Sequence, residues 1–211
     1  MLVSLINSLE ITTPLHLLAH DVSVSIGQEL LARLVHKDQP FLPITSIVFL
    51  NGGVFPSQHR ALFVQKVLLN PFFGRLLPAI LPVKFSYHNS LNKVFGSKKL
   101  DEKELYLYAS LFYHQAPIGH IHQLQKYILE RRQNAERWEK SLSEAAAVPI
   151  CLINGPADPV SGRHLAEYFK KVVNNPDVIL LADDVGHYPN LEAPEEVLKY
   201  FDKFHRKIGT Y

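Results

Sequence analysis

Pro14-Leu15-His16-Leu17-Leu18-Ala19-His20-Asp21-Val22-Ser23 is a short apolar run that stops at a carboxylate. Up to His20 it has the length and composition of a buried parallel strand, and from Ser23 to Val35 the apolar spacing becomes helical. A strand that turns sharply into a helix, with small residues two before and two after the apex, is built to present the apex residue as a nucleophile. Here the small positions are Ala19 and Ser23, and the apex is Asp21. Taken alone, an Asp between a strand and a helix is a helix cap, so the reading depends on what the rest of the chain supplies.

Working outward, Leu2 to Leu9 reads as a short amphipathic helix feeding this first strand. Ile44 to Leu50, Val148 to Asn154 and Asp177 to Leu181 are further apolar runs of strand type. Gly162 to Val173 has helical spacing, with Leu165, Phe169 and Val172 on one face. Ala193 to Lys207 has it through Val197, Leu198, Phe201 and Phe204, with Pro194 in its first turn. Strands alternating with helices predict about four parallel strands covered by helices on both faces. The stretch 54–147 interrupts the alternation and holds no convincing strand. The expected organisation is therefore an α/β core over 1–53 and 148–211 with an all-helical cap over 54–147. Within the cap, Asp101 is an N-cap with acidic Glu104 at N3. The helix after it carries Leu105, Tyr108, Ala109 and Phe112 on one stripe. Tyr106, Leu107, Leu111 and Tyr113 lie opposite, so this helix is expected to be covered on two sides or to line a cavity.

Strand ends of a parallel sheet converge on one rim, and three residues stand just past such ends. Asp21 follows the first strand, Asp158 the third, in Asn154-Gly155-Pro156-Ala157-Asp158-Pro159, and His187 the fourth, in Val185-Gly186-His187-Tyr188-Pro189. Separately they read as a cap, a turn residue and a loop histidine. Together they have the order nucleophile, acid, base. The chemistry would be attack of Asp21 on an electrophilic carbon to give an ester. His187 would then activate the water that hydrolyses it, and Asp158 would hold the imidazole tautomer. Asp183 or Asp184 is a weaker candidate for the acid. Ser23 and Ser25 make poorer elbows, and Ser23 reads instead as the small residue that lets the helix approach the strand. His120-Ile121-His122 lacks a third ligand and a shared helical face, so neither a metal nor a cofactor is expected.

Composition narrows the classes. In 211 residues, 47% hydrophobic, the formal charge is only +2, which does not suit an electrostatic nucleic-acid binder. Arg131-Arg132 alternate with Glu130, Glu136 and Glu139, as on a solvated helix face. Cys151, the single cysteine, excludes an internal disulfide and reads as a buried thiol. With no basic-then-apolar leader, the expectation is an intracellular protein, cytoplasmic or membrane-associated. The apolar region from Ala61 to Phe85 is broken by Pro71, Gly74, Pro78 and Pro82. It suits contact with a membrane surface rather than a spanning helix.

Several blocks are family-like: Leu17-Leu18-Ala19-His20-Asp21 with Gln28-Glu29-Leu30-Leu31, Leu50-Asn51-Gly52-Gly53-Val54-Phe55-Pro56, and His59-Arg60. Gly155-Pro156-Ala157-Asp158-Pro159-Val160 and His187-Tyr188-Pro189-Asn190-Leu191-Glu192-Ala193-Pro194 complete the set. In these blocks the chain resembles the aspartate-nucleophile α/β-hydrolases, the group of haloalkane dehalogenases and epoxide hydrolases, and within it the mesoderm-specific-transcript proteins. The resemblance implies Asp21 as nucleophile, Asp158 as acid and His187 as base, with the backbone N–H of Val22 as an oxyanion donor. Three departures qualify it. Ser23 stands where the family has Gly. Val22 stands where dehalogenases and epoxide hydrolases carry a Trp, which favours epoxide-hydrolase-like chemistry over dehalogenation. The N-terminal half of the family fold, with a His-Gly loop that gives a second oxyanion donor, has no counterpart here.

Loss of one such donor typically costs ~10²–10³ in rate, and the first strand becomes an apolar edge. Two functions are therefore in contention. One is covalent hydrolysis of a small apolar or acyl-type substrate by the Asp-His-Asp triad, with the cap setting specificity through phenols such as Tyr87, Tyr106, Tyr108 and Tyr113. The other is a non-catalytic, truncated hydrolase homologue acting as a binding or interaction protein, with a partner chain covering the exposed sheet edge.

Overall fold

The computed structural model describes residues 1–37, 42–70, 72–74, 90–115 and 121–210. In chain order the elements are α1 (Leu2–Ser8), β1 (Leu15–Ala19), α2 (Val22–His36), β2 (Ile44–Phe49) and a 3-10 turn (Pro56–Gln58). Then come α3 (Phe63–Leu69), α4 (Glu102–Gln115), α5 (Ile121–Leu124), α6 (Tyr127–Gln133) and α7 (Ala135–Glu144). The chain ends with β3 (Ile150–Asn154), α8 (Arg163–Val172), β4 (Asp177–Leu180), α9 (Pro189–Glu192) and α10 (Pro194–Lys207).

The strands form one parallel sheet in the order β1-β2-β3-β4. Ala19 pairs with Phe49, Phe49 with Leu152, and Ile153 with Ile179. The carboxyl ends of the strands are thereby level, and the loops after them share one rim. Along β2 and the residue after it, Ile47 and Phe49 alternate with Val48 and Leu50, and all four are buried, because helices lie on both faces. Ile47, Phe49 and Leu152 pack with Leu31 of α2, Leu142 of α7 and Phe169 of α8. Val48, Cys151 and Ile153 pack with Val197 and Phe204 of α10 on the other face. The Cys151 thiol is fully buried there, and burial pushes it up to about 12. Leu198 leaves the α10 stripe and is 61% exposed.

Two expectations about local packing are corrected. Ser23 is exposed; the approach of α2 to the sheet is made by Gly27. A Cβ there would lie 2.9 Å from the Phe49 ring and 3.5 Å from the Ala19 methyl. On the opposite side of α4, Tyr106 is 59% and Leu107 56% exposed, whereas Leu105 and Ala109 on the first stripe are buried. The cap of α4 is as expected, with Glu104 N–H donating to Asp101 Oδ1 (2.7 Å) and Asp101 N–H to Glu104 Oε2 (2.9 Å).

Between β2 and β3 the described elements are all helical. The last of them, α7, is fastened to α2 by Glu29, whose carboxylate accepts from Arg33 Nε (2.7 Å), Trp138 Nε1 (2.8 Å) and Arg137. β1 differs from its neighbours. Among the described residues it pairs with β2 alone, and Leu18 is 49% exposed, as are Val22 (41%) and Ile26 (45%) of α2.

Candidate active site

At Asp21 the chain takes φ 52 and ψ −114, a conformation that costs a non-glycine residue on the order of 1–3 kcal/mol. This is how β1 turns into α2 within one residue. Asp21 occupies the cap position of α2, yet its side chain makes no capping hydrogen bond. Its backbone N–H donates to Asn51 O (2.8 Å), just past β2, and its carboxylate turns to the rim of the sheet. The Val22 N–H, first of the helix, donates to no oxygen among the described residues.

The rim brings Asp21, His187 and Asp158 together. Asp21 Oδ1 lies 3.7 Å from His187 Nε2, an ion-pair distance rather than a hydrogen bond. His187 Nδ1 is 2.7 Å from Asp158 Oδ2. Asp158 is buried and saturated: Oδ2 also accepts from Ser161 Oγ (2.6 Å) and Asn51 Nδ2 (3.0 Å), and Oδ1 from the Val160 N–H (2.8 Å). Burial pushes the Asp158 carboxyl up, but the hydrogen bonds from His187 and Ser161 outweigh it and hold it below its ordinary range. Burial likewise works against a charged His187, and the facing carboxylates of Asp158 and Asp21 reverse the sign and raise it. Asp21 follows the same logic: burial raises it, His187 lowers it more. Of the weaker acid candidates, Asp183 pairs with Arg163 on the surface and Asp184 accepts from Ser97 Oγ. Ser25 is occupied as the acceptor of Arg131 Nε (3.0 Å).

The loop carrying His187 is fixed from three directions. His20 Nε2 donates to His187 O (2.8 Å), with burial keeping that ring neutral. The His187 N–H donates to Val94 O (2.9 Å) in the helical insertion. The Glu192 carboxylate accepts from the N–H groups of Gly96 (2.7 Å), Gly186 (2.9 Å) and Tyr188 (3.1 Å).

Asp21 and His187 open onto a cavity of about 190 Å³. Its apolar wall, among the described residues, includes Leu62, Leu91, Val94 and Val160. Its polar wall is Tyr127, Arg131, His59 and Gln125. Tyr106 and Tyr108 do not reach it; Tyr108 packs on Leu105 and Phe95 instead. Tyr87, the Tyr113 side chain and His120 lie outside the described residues. Among the described residues no group of three or more His, Cys, Asp or Glu is placed to hold a metal ion. No helix there is long and apolar enough to cross a membrane.

Comparisons with known proteins point one way. The haloalkane dehalogenase of Agrobacterium tumefaciens superposes with a TM-score of 0.72 over 99% of this chain and 71% of its own, at 14% identity. A loop variant of the dehalogenase of Bradyrhizobium elkanii gives 0.69 over 99% and 72%, at 18% identity. The fold is that of an α/β-hydrolase. By sequence, this chain is 33% identical to the mesoderm-specific transcript homolog proteins of Bos taurus and Homo sapiens over 198 residues. That is 90% of the chain but 57% of theirs, so the chain spans little more than half the length of these relatives. No family model matches it.

The polar wall of the cavity is what reading the sequence missed. Arg131, expected on a solvated face, is 1% exposed. Its neighbours in sequence are charged, but Ile128, three residues earlier, is buried, and that spacing was the available signal. Gly53 marks the same spot: a Cβ there would stand 1.5 Å from Arg131 Nη1.

Proposed function

We propose that the chain carries the catalytic residues of a hydrolase that works through a covalent ester on Asp21. The observation behind this is the pairing of a strained Asp21, free of any capping role, with a histidine whose far nitrogen is held by a saturated carboxylate. Asp21 attacks an electrophilic carbon such as that of an epoxide. The C–O bond of the substrate breaks and the released oxygen takes a proton. While Asp21 is ionised, His187 is held in its charged form by two carboxylates. Esterification removes the negative charge 3.7 Å from Nε2, which lowers the imidazole pKa; the proton that His187 held passes through water to the released oxygen, and the neutral imidazole is then a base. It then takes a proton from water, the hydroxide attacks the Asp21 carbonyl carbon, and the Val22 N–H faces the oxyanion that forms there; collapse breaks the ester C–O bond, the product oxygen leaves with the proton from His187, and the Asp21 carboxylate is restored. Asp158 keeps the tautomer with Nε2 towards the water. The substrate class is a small molecule with an apolar or acyl-type body, matched to Leu62, Leu91 and Val94. Val22 offers no indole N–H to a departing halide, so an epoxide suits the site better than a haloalkane.

A single turnover of styrene oxide in ¹⁸O-water tests the ester. One labelled oxygen should enter the Asp21 carboxylate, and His187→Ala should accumulate the mass of the adduct. Label in the product alone would exclude the covalent route. A second reading, a non-catalytic partner-binding homologue, is favoured by the exposed Leu18, Val22 and Ile26 along the open edge of β1. It predicts that Asp21→Asn changes nothing in a folded protein.

A further inference from the structure

Three of the side chains that line the cavity carry buried polar atoms without a hydrogen-bond partner. Arg131 Nη2, both ring nitrogens of His59 and Gln125 Oε1 are inaccessible and make no hydrogen bond, and all three residues line the cavity that holds Asp21 and His187. Unsatisfied buried groups of this kind cost on the order of 1–3 kcal/mol each, and a buried cation needs an ionic or hydrogen-bonding partner. Arg131 is nevertheless held firmly in place. Its Nε donates to Ser25 Oγ (3.0 Å), its Cζ lies 4.7 Å from the centre of the Tyr127 ring, and Gly53 makes room for Nη1. The two carboxylates of the site are both turned to His187, so neither hydrogen-bonds the guanidinium; the charge of Asp21 acts on it through space and the Tyr127 hydroxyl at close range.

We infer that Arg131 is a substrate-binding residue that receives a carboxylate carried by the substrate, with His59 as its companion donor. This rests on the proposed hydrolytic function only in placing the substrate in this cavity. A guanidinium with one end anchored presents its remaining N–H groups in a fixed direction, the geometry in which Arg–carboxylate hydrogen bonds are strong. Burial and the nearby Arg131 push His59 down to about 4, so at neutral pH it is an uncharged imidazole with one N–H to give and one lone pair to fill. Gln125 Oε1 is an acceptor and suits an O–H or N–H on the same substrate. The cavity, about 190 Å³ and open on one side, places the apolar residues Leu62, Leu91 and Val94 beside the carboxylate position for the body joined to it.

Binding of butyrate and its neutral isostere butyramide, followed by calorimetry on the full chain, tests this without any need for turnover. Butyrate should bind at least about tenfold more tightly than butyramide. Arg131→Met should abolish that preference, and Arg131→Lys should restore part of it. Equal binding of the two ligands to the unmodified protein would overturn the assignment and leave the cavity atoms to water. So would a preference that survives in a folded Arg131→Met. The wild-type comparison stands even if that variant does not fold. The Asp21 labelling experiment is independent of all of these: label in Asp21 with no carboxylate preference sinks only Arg131, and the preference without label sinks only the ester.

Discussion

The two ends of the cavity are built on opposite terms. Around His187 the carboxylates of Asp158 and Glu192 are saturated: Asp158 accepts four hydrogen bonds and Glu192 three. Around Arg131, His59 and Gln125 buried atoms go unpaired. The first arrangement preorganises side chains that must not move during chemistry. The second stores unmet hydrogen-bonding capacity that only something entering the cavity can satisfy. The contrast separates a region whose polar groups serve the fold from one whose polar groups wait for a ligand.

The comparison is broken most severely at the proposed catalytic centre. Replacing His187 with Gln should reduce steady-state turnover of an epoxide by about 10⁴ or more while the protein stays folded; retained turnover would remove the histidine from the mechanism. Asp158→Ala should be the largest blow to stability. It leaves the His187 ring, the Ser161 hydroxyl, the Asn51 amide and the Val160 N–H without their acceptor, at a cost of ~3–5 kcal/mol, measurable as a fall in the urea midpoint. Glu192→Ala strands three N–H groups and should cost ~2–3 kcal/mol, with turnover falling because the loop of His187 loosens.

Acid titration of unfolding reports on the same end. The Asp158 carboxyl is held below its ordinary 3.8 in the folded protein. Its contribution is therefore present above that pH and lost as the pH falls beneath it. His187 is raised above its ordinary 6.5, so its contribution is complete below 6.5 and lost as the pH rises beyond it. Stability should then be greatest between these limits, and Asp158→Asn should flatten both limbs. The smallest effect belongs to the open end: Gln125→Met removes an acceptor that has no partner and should change stability by less than ~0.5 kcal/mol, or raise it. A loss as large as that of Glu192→Ala would show that the two ends do not differ.

Much of this was legible in the chain. The strands were readable because a strand covered on both faces must be continuously apolar, and Ile47-Val48-Phe49-Leu50 is. Asp21, Asp158 and His187 were nameable because each follows a strand, and the ends of parallel strands lie at one rim. The α4 cap was readable because Asp101 and Glu104 act across three residues. The failures share one cause. Ser23 was expected against the sheet and Gly27 does that work, and Arg131 was expected in water and is buried. Each depends on what a distant segment brings alongside, and local spacing carries only part of that.

The sequence by itself determined the alternation of strands and helices, the parallel sheet and the order of three chemical groups along the chain, because these follow from short-range periodicity and from the rim rule. Only the tertiary structure decided that Asn51 would tie Asp21 to Asp158, that Glu192 would hold the loop of His187, and that Gly53 would leave room for the Arg131 guanidinium. Those are contacts across dozens of residues. They are set by close packing of side-chain volumes, in which a single added Cβ at position 53 would be enough to move a charge.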